Sequence, residues 1–412
     1  MSKVEKQQVP KIRFKKFDGE WQIQGINDIA TRYSGLTYTP DDVRDSGALV
    51  IRSSNIQNDQ FVDADNVYVN PDVVNCTYVQ KNDVVMVVRN GSRNLIGKHA
   101  LINKELSNTV IGAFMSAFRT NQGGFLNALL STSCFHSEVH KSLGATINQI
   151  TGKNFDLMRF QMPLSIEQTQ IGNFFQQLDK LIELQTRAVE SAEKYKKAML
   201  QKMFPQKGEK VPRVRFEGFS GDWVTTYFKD VADVRRGLTY SPSDVVTDKK
   251  GIRVLRSSNI DEDTLVISDT DVFVSEDAVK ISYIKMNEIL ITAANGSSRL
   301  VGKHAIISKD LERAVHGGFM LAVSTSQPEF INSWMNGVQY KKMLQLVQGG
   351  NGAIGNLSRS MLEECKITLP CLVEQEKIGN FFQKLDQNIE SEKKKLEQYQ
   401  TMKRAMLQRM FV

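Results

Sequence analysis

Two glycine–lysine segments are the first places in this sequence where chemistry could occur. Residues 90–100 read NGSRNLIGKHA, and residues 295–305 read NGSSRLVGKHA. A phosphate-binding loop has four residues between its glycines and a hydroxyl side chain after its lysine. Here five residues separate Gly91 from Gly97, and His99 occupies the hydroxyl position. An apolar run follows where a helix would be needed, so we predict a β-hairpin with an Asn-Gly turn instead of a nucleotide site.

The other side chains that could be catalytic lack the partners that catalysis needs. The chain contains no Gly-x-Gly-x-x-Gly, Gly-x-Ser-x-Gly or His-Glu-x-x-His motif, and no Asn-Pro-Pro-Tyr motif of amino-methyltransferases. His136 and His140 have the spacing of metal ligands on a helix, but no third ligand accompanies them, which favours an ordinary surface helix. His99 and His304 recur in both halves without a nucleophile nearby, so we predict hydrogen-bonded strand histidines. We expect neither a catalytic residue nor a metal site.

The composition is that of an ordinary globular protein of two domains. The 412 residues are 41% hydrophobic and 24% charged, and the net charge is +7. This charge permits a polyanionic partner without demonstrating one. The four cysteines are scattered, which favours reduced thiols. No apolar run reaches the roughly 20 residues that cross a bilayer, and no secretory signal is recognisable. We therefore expect a cytoplasmic protein.

The order of motifs in the first half of the chain is repeated in the second half. The corresponding segments are VPKIRF (9–14) and VPRVRF (211–216), GLTYTP (35–40) and GLTYSP (237–242), RSSNI (52–56 and 256–260), IGNFF (171–175 and 378–382), and AMLQ (198–201 and 405–408). The offset drifts only from 202 (237 − 35) to 207 (378 − 171). Two tandem repeats of about 200 residues therefore fill the chain.

The last quarter of each repeat predicts a long helix. Residues 165–204 contain no proline and one early glycine, and residues 372–411 are their counterpart; each stretch follows a proline. Ser165 and Gln168 have the spacing of a capping box. Each helix would span about 40 residues and therefore roughly 60 Å.

Apolar residues follow a heptad along both predicted helices. The seams contain Ile171, Phe174, Leu178, Leu181, Gln185, Ala188, Ala192, Tyr195 and Met199 in the first helix, and Ile378, Phe382, Leu385, Ile389, Glu392, Leu396, Tyr399, Met402 or Lys403, and Met406 in the second. A repeat of 3.5 residues favours coiled-coil pairing. Further apolar residues, among them Phe175, Ile182 and Val189, could receive the helices of a partner or could widen the interface of the pair itself.

These observations predict an α+β protein. Two β-rich globular domains, at residues 1–164 and 205–370, would each be followed by a long helix, at residues 165–204 and 371–412. The second globular segment begins with a linker after residue 204. An antiparallel coiled coil of the two helices would relate the domains by pseudo-two-fold symmetry.

Polar and basic side chains near turns are candidates for DNA binding. Arg, Lys, Asn and Gln can read base edges, and Gly and Ser amides suit phosphates. Such residues are also common in ordinary surface turns, so composition alone leaves both interpretations open. The candidates are Thr37, Tyr38, Arg52, Ser53, Asn55, Gln57, Asn58, Arg89, Asn90, Ser92, Arg93, Lys98, Lys153 and Asn154 in the first repeat, and Thr239, Tyr240, Arg256, Ser257, Asn259, Asn295, Ser297, Ser298, Arg299, Lys303, Asn351 and Arg359 in the second.

Over its whole length the chain resembles the specificity subunits of bacterial type I restriction–modification systems. The helix signature carries the resemblance: Pro163-Leu164, Glu167-Gln168, Ile171-Gly172, Phe175, Leu178-Asp179, Ile182 and the terminal stretch 196–204, repeated from Pro370 to Phe411. In that family two target-recognition domains alternate with two helical regions. The turn motifs of the globular domains are much less specific.

The resemblance implies a non-catalytic subunit that binds double-stranded DNA. Each domain would read one half of a bipartite target, and the helices would set the unread spacer. The helices would also bind two methyltransferase subunits, with two restriction subunits completing the complex. S-adenosylmethionine, ATP and Mg would be bound by those partners and not by this chain. The seam and subunit-binding candidates are Ile171, Phe175, Leu178, Ile182, Met199, Ile378, Phe382, Leu385, Ile389 and Met406.

Positions that are identical in both repeats cannot distinguish two different half-sites. Discrimination is therefore expected where the repeats differ: residues 57–60 against 261–264, Arg89 against Ala294, and residues 152–154 against 359–361. Two alternatives to the specificity subunit stay open. A stand-alone pseudo-dimeric DNA-binding regulator would bind tightly without partners, and a coiled-coil assembly scaffold would show no salt-dependent DNA binding.

Overall fold

The computed structural model describes residues 9–143, 148–206, 208–247, 250–348 and 355–412. The chain forms two compact units, and each unit contains part of both long helices. Unit 1 comprises Met1–Arg187 and Lys394–Val412, and unit 2 comprises Ala188–Lys393. This division differs from the expected one, in which the globular segments end where the helices begin.

In its described residues, unit 1 contains twelve short strands, three short α-helices and segments of the two long helices. Its strands are β1 (Gln22–Gln24), β2 (Thr31–Ser34), β3 (Val43–Arg44), β4 (Ala48–Ile51), β5 (Ile56–Gln57), β6 (Gln60–Phe61), β7 (Val67–Val69), β8 (Val84–Val87), β9 (His99–Leu101), β10 (Thr109–Ile111), β11 (Met115–Arg119) and β12 (Phe160–Met162). Its short helices are α1 (Gly123–Leu130), α2 (Ser133–Ser142) and α3 (Gly152–Leu157), and the first long helix is α4 (Ser165–Lys202).

Unit 2 repeats this order of elements. Its strands are β13 (Val224–Tyr227), β14 (Ala232–Arg236), β15 (Val245–Val246), β16 (Ile252–Leu255), β17 (Ile260–Asp261), β18 (Thr264–Leu265), β19 (Val272–Val274), β20 (Ile289–Thr292), β21 (His304–Ile306), β22 (Ala314–His316), β23 (Met320–Thr325) and β24 (Lys366–Leu369). Its short helices are α5 (Pro328–Met335), α6 (Val338–Gln348) and α7 (Arg359–Glu363), and the second long helix is α8 (Leu372–Met410).

The strands of unit 1 form two principal sheets. The larger has the order β2-β11-β8-β9-β6-β5, and the smaller has the order β10-β4-β7-β3. Unit 2 has the matching orders β14-β23-β20-β21 and β15-β19-β16-β22, with β17 and β18 as a separate hairpin. Both principal sheets of unit 2 have four strands; we call the sheet β10-β4-β7-β3 and its counterpart β15-β19-β16-β22 the smaller sheets. In each of them one pair is parallel, β10 with β4 and β22 with β16, while the other pairs are antiparallel.

Strand β8 is buried on both faces, which explains why its sequence is continuously apolar. Val84 and Met86 point into the core formed with helices α1 to α3, and Val85 and Val87 point into a second core against Ile51 and Ile56. Successive side chains of a strand face opposite sides, so both faces need apolar residues.

The long helices begin where the sequence predicted, but a different contact fixes the start. The side-chain amide of Gln168 donates to the Pro163 carbonyl at 2.9 Å, and that of Gln375 donates to Pro370 at 2.8 Å. Ser165 is already the first helical residue, and its hydroxyl accepts from Gln122. The predicted Ser165–Gln168 capping box is therefore wrong, since the glutamine reaches back to the proline instead.

Within each unit the two long helices run antiparallel. In unit 1 Phe175 contacts Phe411, with ring centroids 6.0 Å apart, and Asp179 contacts Lys403 at 2.8 Å. In unit 2 the corresponding contacts join Phe382 to Phe204 and Asp386 to Lys196. In each unit, residue numbers therefore rise along one helix in the direction in which they fall along the other.

The seam and subunit-binding candidates differ in burial. Ile171, Phe175, Leu178, Ile378, Phe382 and Ile389 are buried, and Ile182, Met199, Leu385 and Met406 are half-buried; Val189, which was placed outside the seam, is also buried. Leu181, Tyr195 and Met402 were assigned to the seam, yet they are 45%, 49% and 45% exposed. The period of an α-helix is 3.6 residues, so positions assigned by a strict repeat of 3.5 residues drift away from the contact face along the helix.

Candidate nucleic-acid interface

The segment at residues 90–100 belongs to a hairpin with a long loop. Strands β8 and β9 pair antiparallel, with Val84 opposite Leu101 and Met86 opposite His99. The loop between them contains a single 3-10 turn, Arg93–Leu95. The left-handed residue is Gly97 (φ 87°), at the return to β9. The hairpin prediction is thus confirmed, whereas the tight Asn-Gly turn is wrong.

Two asparagines fix these loops in the same way. In unit 1 the side-chain oxygen of Asn90 accepts from the Ser92 backbone at 2.9 Å, and its amide group donates to the Ser53 hydroxyl at 3.4 Å. In unit 2 Asn295 makes the matching bonds, both at 2.9 Å. The amide of each asparagine has two N–H donors, so one donor remains for a ligand.

A second turn borders each loop. The carbonyl oxygen of Phe114 accepts from the backbone N–H groups of Val88 and Arg89 at 3.0 and 3.1 Å. In unit 2 the Phe319 carbonyl accepts from Ala293 and Ala294 at 2.8 and 3.1 Å. Leu36 pairs with Gly112, and Leu238 with Gly317, which brings Thr37 and Thr239 to the same turns. Both threonines are exposed.

Two arginines lie at the base of these turns. A Cβ atom built on Gly112 would lie 3.9 Å from the Cγ of Arg52, and one built on Gly317 would lie 3.7 Å from the Cγ of Arg256. Arg52 also donates to the Asp65 carboxylate at 2.9 Å. The guanidinium therefore stays at the edge of the turn.

These side chains define a surface in each unit that we call the rim. The rim consists of Thr37, Arg52, Ser53, Arg89, Asn90 and Phe114 in unit 1, and of Thr239, Arg256, Ser257, Ala294, Asn295 and Phe319 in unit 2. Ten of the twelve were candidates from the sequence or their compared counterparts. The two phenylalanines were missed because an apolar residue beside a strand reads as core; the only signal was their recurrence after Gly112 and Gly317.

Two predicted contact residues are buried in the protein itself. Asn55 is 0% and Asn259 is 1% exposed. The Asn55 oxygen accepts from the Arg52 backbone at 2.9 Å, and its amide group donates to the Ala64 carbonyl at 2.7 Å. Asn259 accepts from Arg256 in the same way. These amides hold a turn, so we leave them out of the proposed DNA-binding surface.

Tyr38 and Tyr240 are half-buried against the cores of the smaller sheets. Their rings therefore support the rim from below, next to the exposed threonines. Whether these two tyrosines also contact DNA stays a prediction.

The turn at residues 57–60 faces the long helices. Lys403 of α8 lies 3.4 Å from the Asp59 carboxylate and 2.8 Å from that of Asp179 on α4. In unit 2 Lys196 of α4 makes the corresponding pairs with Asp263 at 2.7 Å and Asp386 at 2.5 Å. Gln57 and Asn58 are exposed beside this contact. The turn therefore contacts the long helices through Asp59, and its counterpart does so through Asp263, while the DNA-binding role of Gln57 and Asn58 stays a prediction.

Each of these two lysines lies between two carboxylates, which changes the pKa of its ammonium group. Burial alone lowers the pKa of Lys403, but Asp179 and Asp59 outweigh it, and the net shift is upward. The same balance raises the pKa of Lys196. Both lysines are thus charged at neutral pH and hold the turn, α4 and α8 together.

The remaining loop candidates lie farther along the hairpin. Ser92, Ser297 and Ser298 are exposed, and Arg93 donates to the Leu143 carbonyl at 3.1 Å. Lys98 and Lys303 are half-buried just before β9 and β21. In unit 2 Arg299 and Lys303 line a cleft of about 370 Å³ together with Lys341. Burial, Lys197 and Lys196 lower the pKa of Lys341.

Three of the four candidates shortly before the long helices lie on short helices. Residues 152–157 form helix α3, and Asn154 accepts from the Thr151 backbone at 2.8 Å as part of its cap. Lys153 is exposed on this helix. Arg359 lies on α7 and pairs with Glu363 at 2.7 Å. Asn351 lies outside the described residues.

The histidines do not form a reactive site. His99 and His304 are buried and hydrogen-bonded to the Gly97 and Gly302 carbonyls at 2.9 and 3.0 Å. Burial lowers the pKa of both. They are strand histidines, as predicted. In the described part of the chain, no group of three His, Cys, Asp or Glu side chains is arranged to hold a metal ion.

No helix in the described ranges is long and apolar enough to span a membrane.

Comparison with known proteins agrees with the repeat. A family model described as "type I restriction modification DNA specificity domain" matches residues 18–194 and 220–400. The EcoKI specificity subunit of Escherichia coli K12 is 24% identical over 306 residues, which cover 70% of this chain and 64% of that protein. The MjaVIII specificity subunit of Methanocaldococcus jannaschii is 23% identical over 274 residues, 64% of each chain. The chain thus spans less than two thirds of the length of these curated relatives.

Solved structures share the fold. The S subunit of the type I restriction–modification system of M. genitalium has a TM-score of 0.66 at 16% identity, over 98% of this chain and 99% of that one. A chain from a structure of assembly and conformational transition in a type I system has a TM-score of 0.51 at 14% identity, over 94% and 96%. Since the family model matches both repeats and most of the chain, the chain belongs to the family of type I restriction modification DNA specificity domains.

Proposed function

We propose that this chain is the non-catalytic specificity subunit of a type I restriction–modification complex and that each rim reads one half of a bipartite DNA target. The observation that carries the proposal is the duplicated rim. Its backbone scaffold is the same in both units, but Arg89 in unit 1 corresponds to Ala294 in unit 2. Such a surface can hold two half-sites in the same manner and distinguish their bases.

The rims are suited to DNA by their chemistry. The spare N–H donors of Asn90 and Asn295 can pair with acceptors on base edges, since each amide uses only one donor inside the protein. Arg52 and Arg256 supply positive charge beside exposed hydroxyls, which is the usual composition of a phosphate contact.

The long helices would set the spacer and bind two methyltransferase subunits. Leu181, Leu184, Tyr195 and Met402 support this part of the proposal because each is apolar and more than 40% exposed on the helices. The partners would supply S-adenosylmethionine for adenine methylation, and two further subunits would supply ATP- and Mg-dependent translocation and cleavage.

The proposal is tested by expressing the chain with its methyltransferase subunits in a host that lacks other adenine methylation. Single-molecule methylation mapping should reveal one bipartite motif with adenine modified in both halves. Exchange of residues 89–94 for 294–299 should alter one half of the motif and leave the spacer length unchanged.

Two results would contradict the proposal. One is a methylated motif without a spacer or no methylation at all from a complex that assembles. The other is tight specific binding by the chain alone, without partner subunits, which would favour a stand-alone regulator.

A further inference from the structure

Phe114 and Phe319 expose their rings at equivalent turns of the two repeats. The side chains are 57% and 75% exposed. Each turn connects an edge strand of one sheet to an inner strand of the other, β10 to β11 in unit 1 and β22 to β23 in unit 2. A single exposed apolar residue is common on protein surfaces. Two at matching positions, both on a rim, indicate a function that both repeats share.

The backbone holds these rings in place. Gly112 donates to the Ile51 carbonyl at 2.9 Å, and Gly317 donates to Leu255 at 2.8 Å. The following residues, Met115 and Met320, are buried, at 2% and 1% exposure. The phenylalanine before each methionine lies in the turn itself, and its exposure shows that its ring faces solvent. The rings are therefore presented by a rigid turn.

The neighbours of the rings are polar and cationic. The Arg89 guanidinium lies 5.2 Å from the centroid of the Phe114 ring. Thr239 lies beside Gly318, since a Cβ atom there would be 3.1 Å from its hydroxyl oxygen. A protein partner would need a broad apolar surface around such a ring. A single DNA base, in contrast, needs no apolar surface beyond the ring itself.

We propose that Phe114 and Phe319 make direct apolar contact with DNA bases, one in each half-site. This inference rests on the proposed function and adds a base-reading side chain to each rim. A phenylalanine contacts bases either by insertion at a base step or by packing on the methyl group of thymine. In unit 1 Arg89 would reach the DNA beside the ring, whereas Ala294 leaves the Phe319 ring without that cation.

The experiment measures binding of the complete complex to a short duplex that carries the mapped target. Phe114→Ser and Phe319→Ser should each weaken binding about ten- to one-hundredfold. The slope of log affinity against log salt should stay unchanged, because no phosphate contact is lost. Phe114→Leu should retain most of the affinity. Arg52→Gln is the matched control, since loss of a phosphate contact should reduce the slope.

A duplex with one scrambled half-site shows which bases the ring contacts. Phe114→Ser should cause no further loss on the duplex whose unit 1 half-site is scrambled, while Phe319→Ser should still weaken binding. Replacement of thymine by uracil identifies packing on a methyl group. A rise of 2-aminopurine fluorescence with the unchanged protein, absent from the serine variants, identifies insertion.

The inference is overturned if both serine variants bind the target as tightly as the unchanged complex, or if they lose affinity equally for target and scrambled DNA. Either result leaves the proposed function intact. If the unchanged complex prefers no target, the proposed function itself is wrong. Thermal unfolding of each variant shows that the loss of affinity is not a loss of folding.

Discussion

At the scale of single residues, His316 is the main buried difference between the two smaller sheets. It lies on β22 opposite Leu255, and its ring nitrogen is 3.2 Å from the Arg235 carbonyl. The corresponding residue of unit 1 is Ile111, opposite Ile51. Burial lowers the pKa of His316 from 6.5 to about 4; the hydrogen bond to the Arg235 carbonyl and the charge of Glu288 oppose this shift, and the charge of Arg235 adds to it.

The stability of unit 2 is therefore expected to depend on pH. Below pH 6.5 His316 is protonated in the unfolded chain, whereas in the folded protein it stays neutral down to about pH 4. The contribution of neutral His316 to the free energy of unfolding is therefore fully present above pH 6.5. It is lost as the pH falls from 6.5 to about 4, by at most about 3 kcal/mol. Hydrogen exchange of unit 2 at a series of pH values measures the loss. His316→Ile, which copies unit 1, should flatten the profile; an unchanged profile would refute the assignment.

Substitution of Asn55 tests whether this residue has a structural role, as a buried amide, or contacts DNA. Asn55→Ala leaves the Arg52 N–H and the Ala64 carbonyl without their partner, which should destabilise unit 1 by about 2 kcal/mol. The methylated motif should stay the same at temperatures where the variant is folded. Asn259→Ala is the matched variant in unit 2. A changed half-site without loss of unfolding temperature would mean that the residue reads DNA.

Residue types predicted the rim only in part. The repeat identified Thr37, Arg52, Ser53 and Asn90 because polar residues near turns are visible in sequence. It did not separate amides that serve a ligand from amides that cap their own turn, as Asn55 and Asn154 do. That distinction depends on burial, which a short polar motif does not encode. Whether the rim residues contact DNA stays a prediction.

At the scale of elements, apolar patterning predicted the long helices and strand β8 well. Their signals are continuous over many residues, and proline marks each helix start. The loop of the β8–β9 hairpin was predicted less well. An Asn-Gly pair favours a tight turn, but here the side chain of Asn90 fixes a longer loop by bonding to Ser53, which is 37 residues away in sequence. Tertiary contacts of this kind override local turn preference.

The bridges of Lys403 and Lys196 link a turn of each unit to the two long helices. Lys403→Met leaves Asp59 and Asp179 without a cation, and we expect a loss of roughly 2 kcal/mol, less than for a fully buried pair. Lys403→Met combined with Asp179→Asn should recover part of the loss, as measured by urea unfolding. Lys196→Met with Asp386→Asn is the matched pair in unit 2. Equal stability of the single and double variants would exclude the bridge as the cause.

At the scale of the whole molecule, unit 1 depends on a segment distant in sequence, Lys394–Val412, whereas unit 2 is continuous, Ala188–Lys393. The core of unit 1 includes Met410 and Phe411, and the core of unit 2 includes Met203 and Phe204. The sequence predicted that the two helices pair. It did not predict that the ends of the helices complete the cores, because the aromatic residues at each end could equally belong to the heptad.

This arrangement predicts that a change near residue 411 unfolds the N-terminal part of the chain. The Phe411 ring lies 5.7 Å from Phe125 and 6.0 Å from Phe175, and Ile12 donates to the Arg409 carbonyl at 2.9 Å. Phe411→Ala should therefore destabilise unit 1 by about 3 kcal/mol. Hydrogen exchange with peptide resolution should show faster exchange in residues 9–143, while unit 2 keeps its protection.

Two variants control this prediction. Phe204→Ala should reverse the pattern, because its ring packs on Phe330 and Phe382 in unit 2. Met402→Ala removes an exposed side chain from the same helix and should change stability by less than about 0.5 kcal/mol. Uniform loss of protection in both units after Phe411→Ala would mean that the chain unfolds as one cooperative body, and that the C-terminal segment stabilises more than the unit it completes.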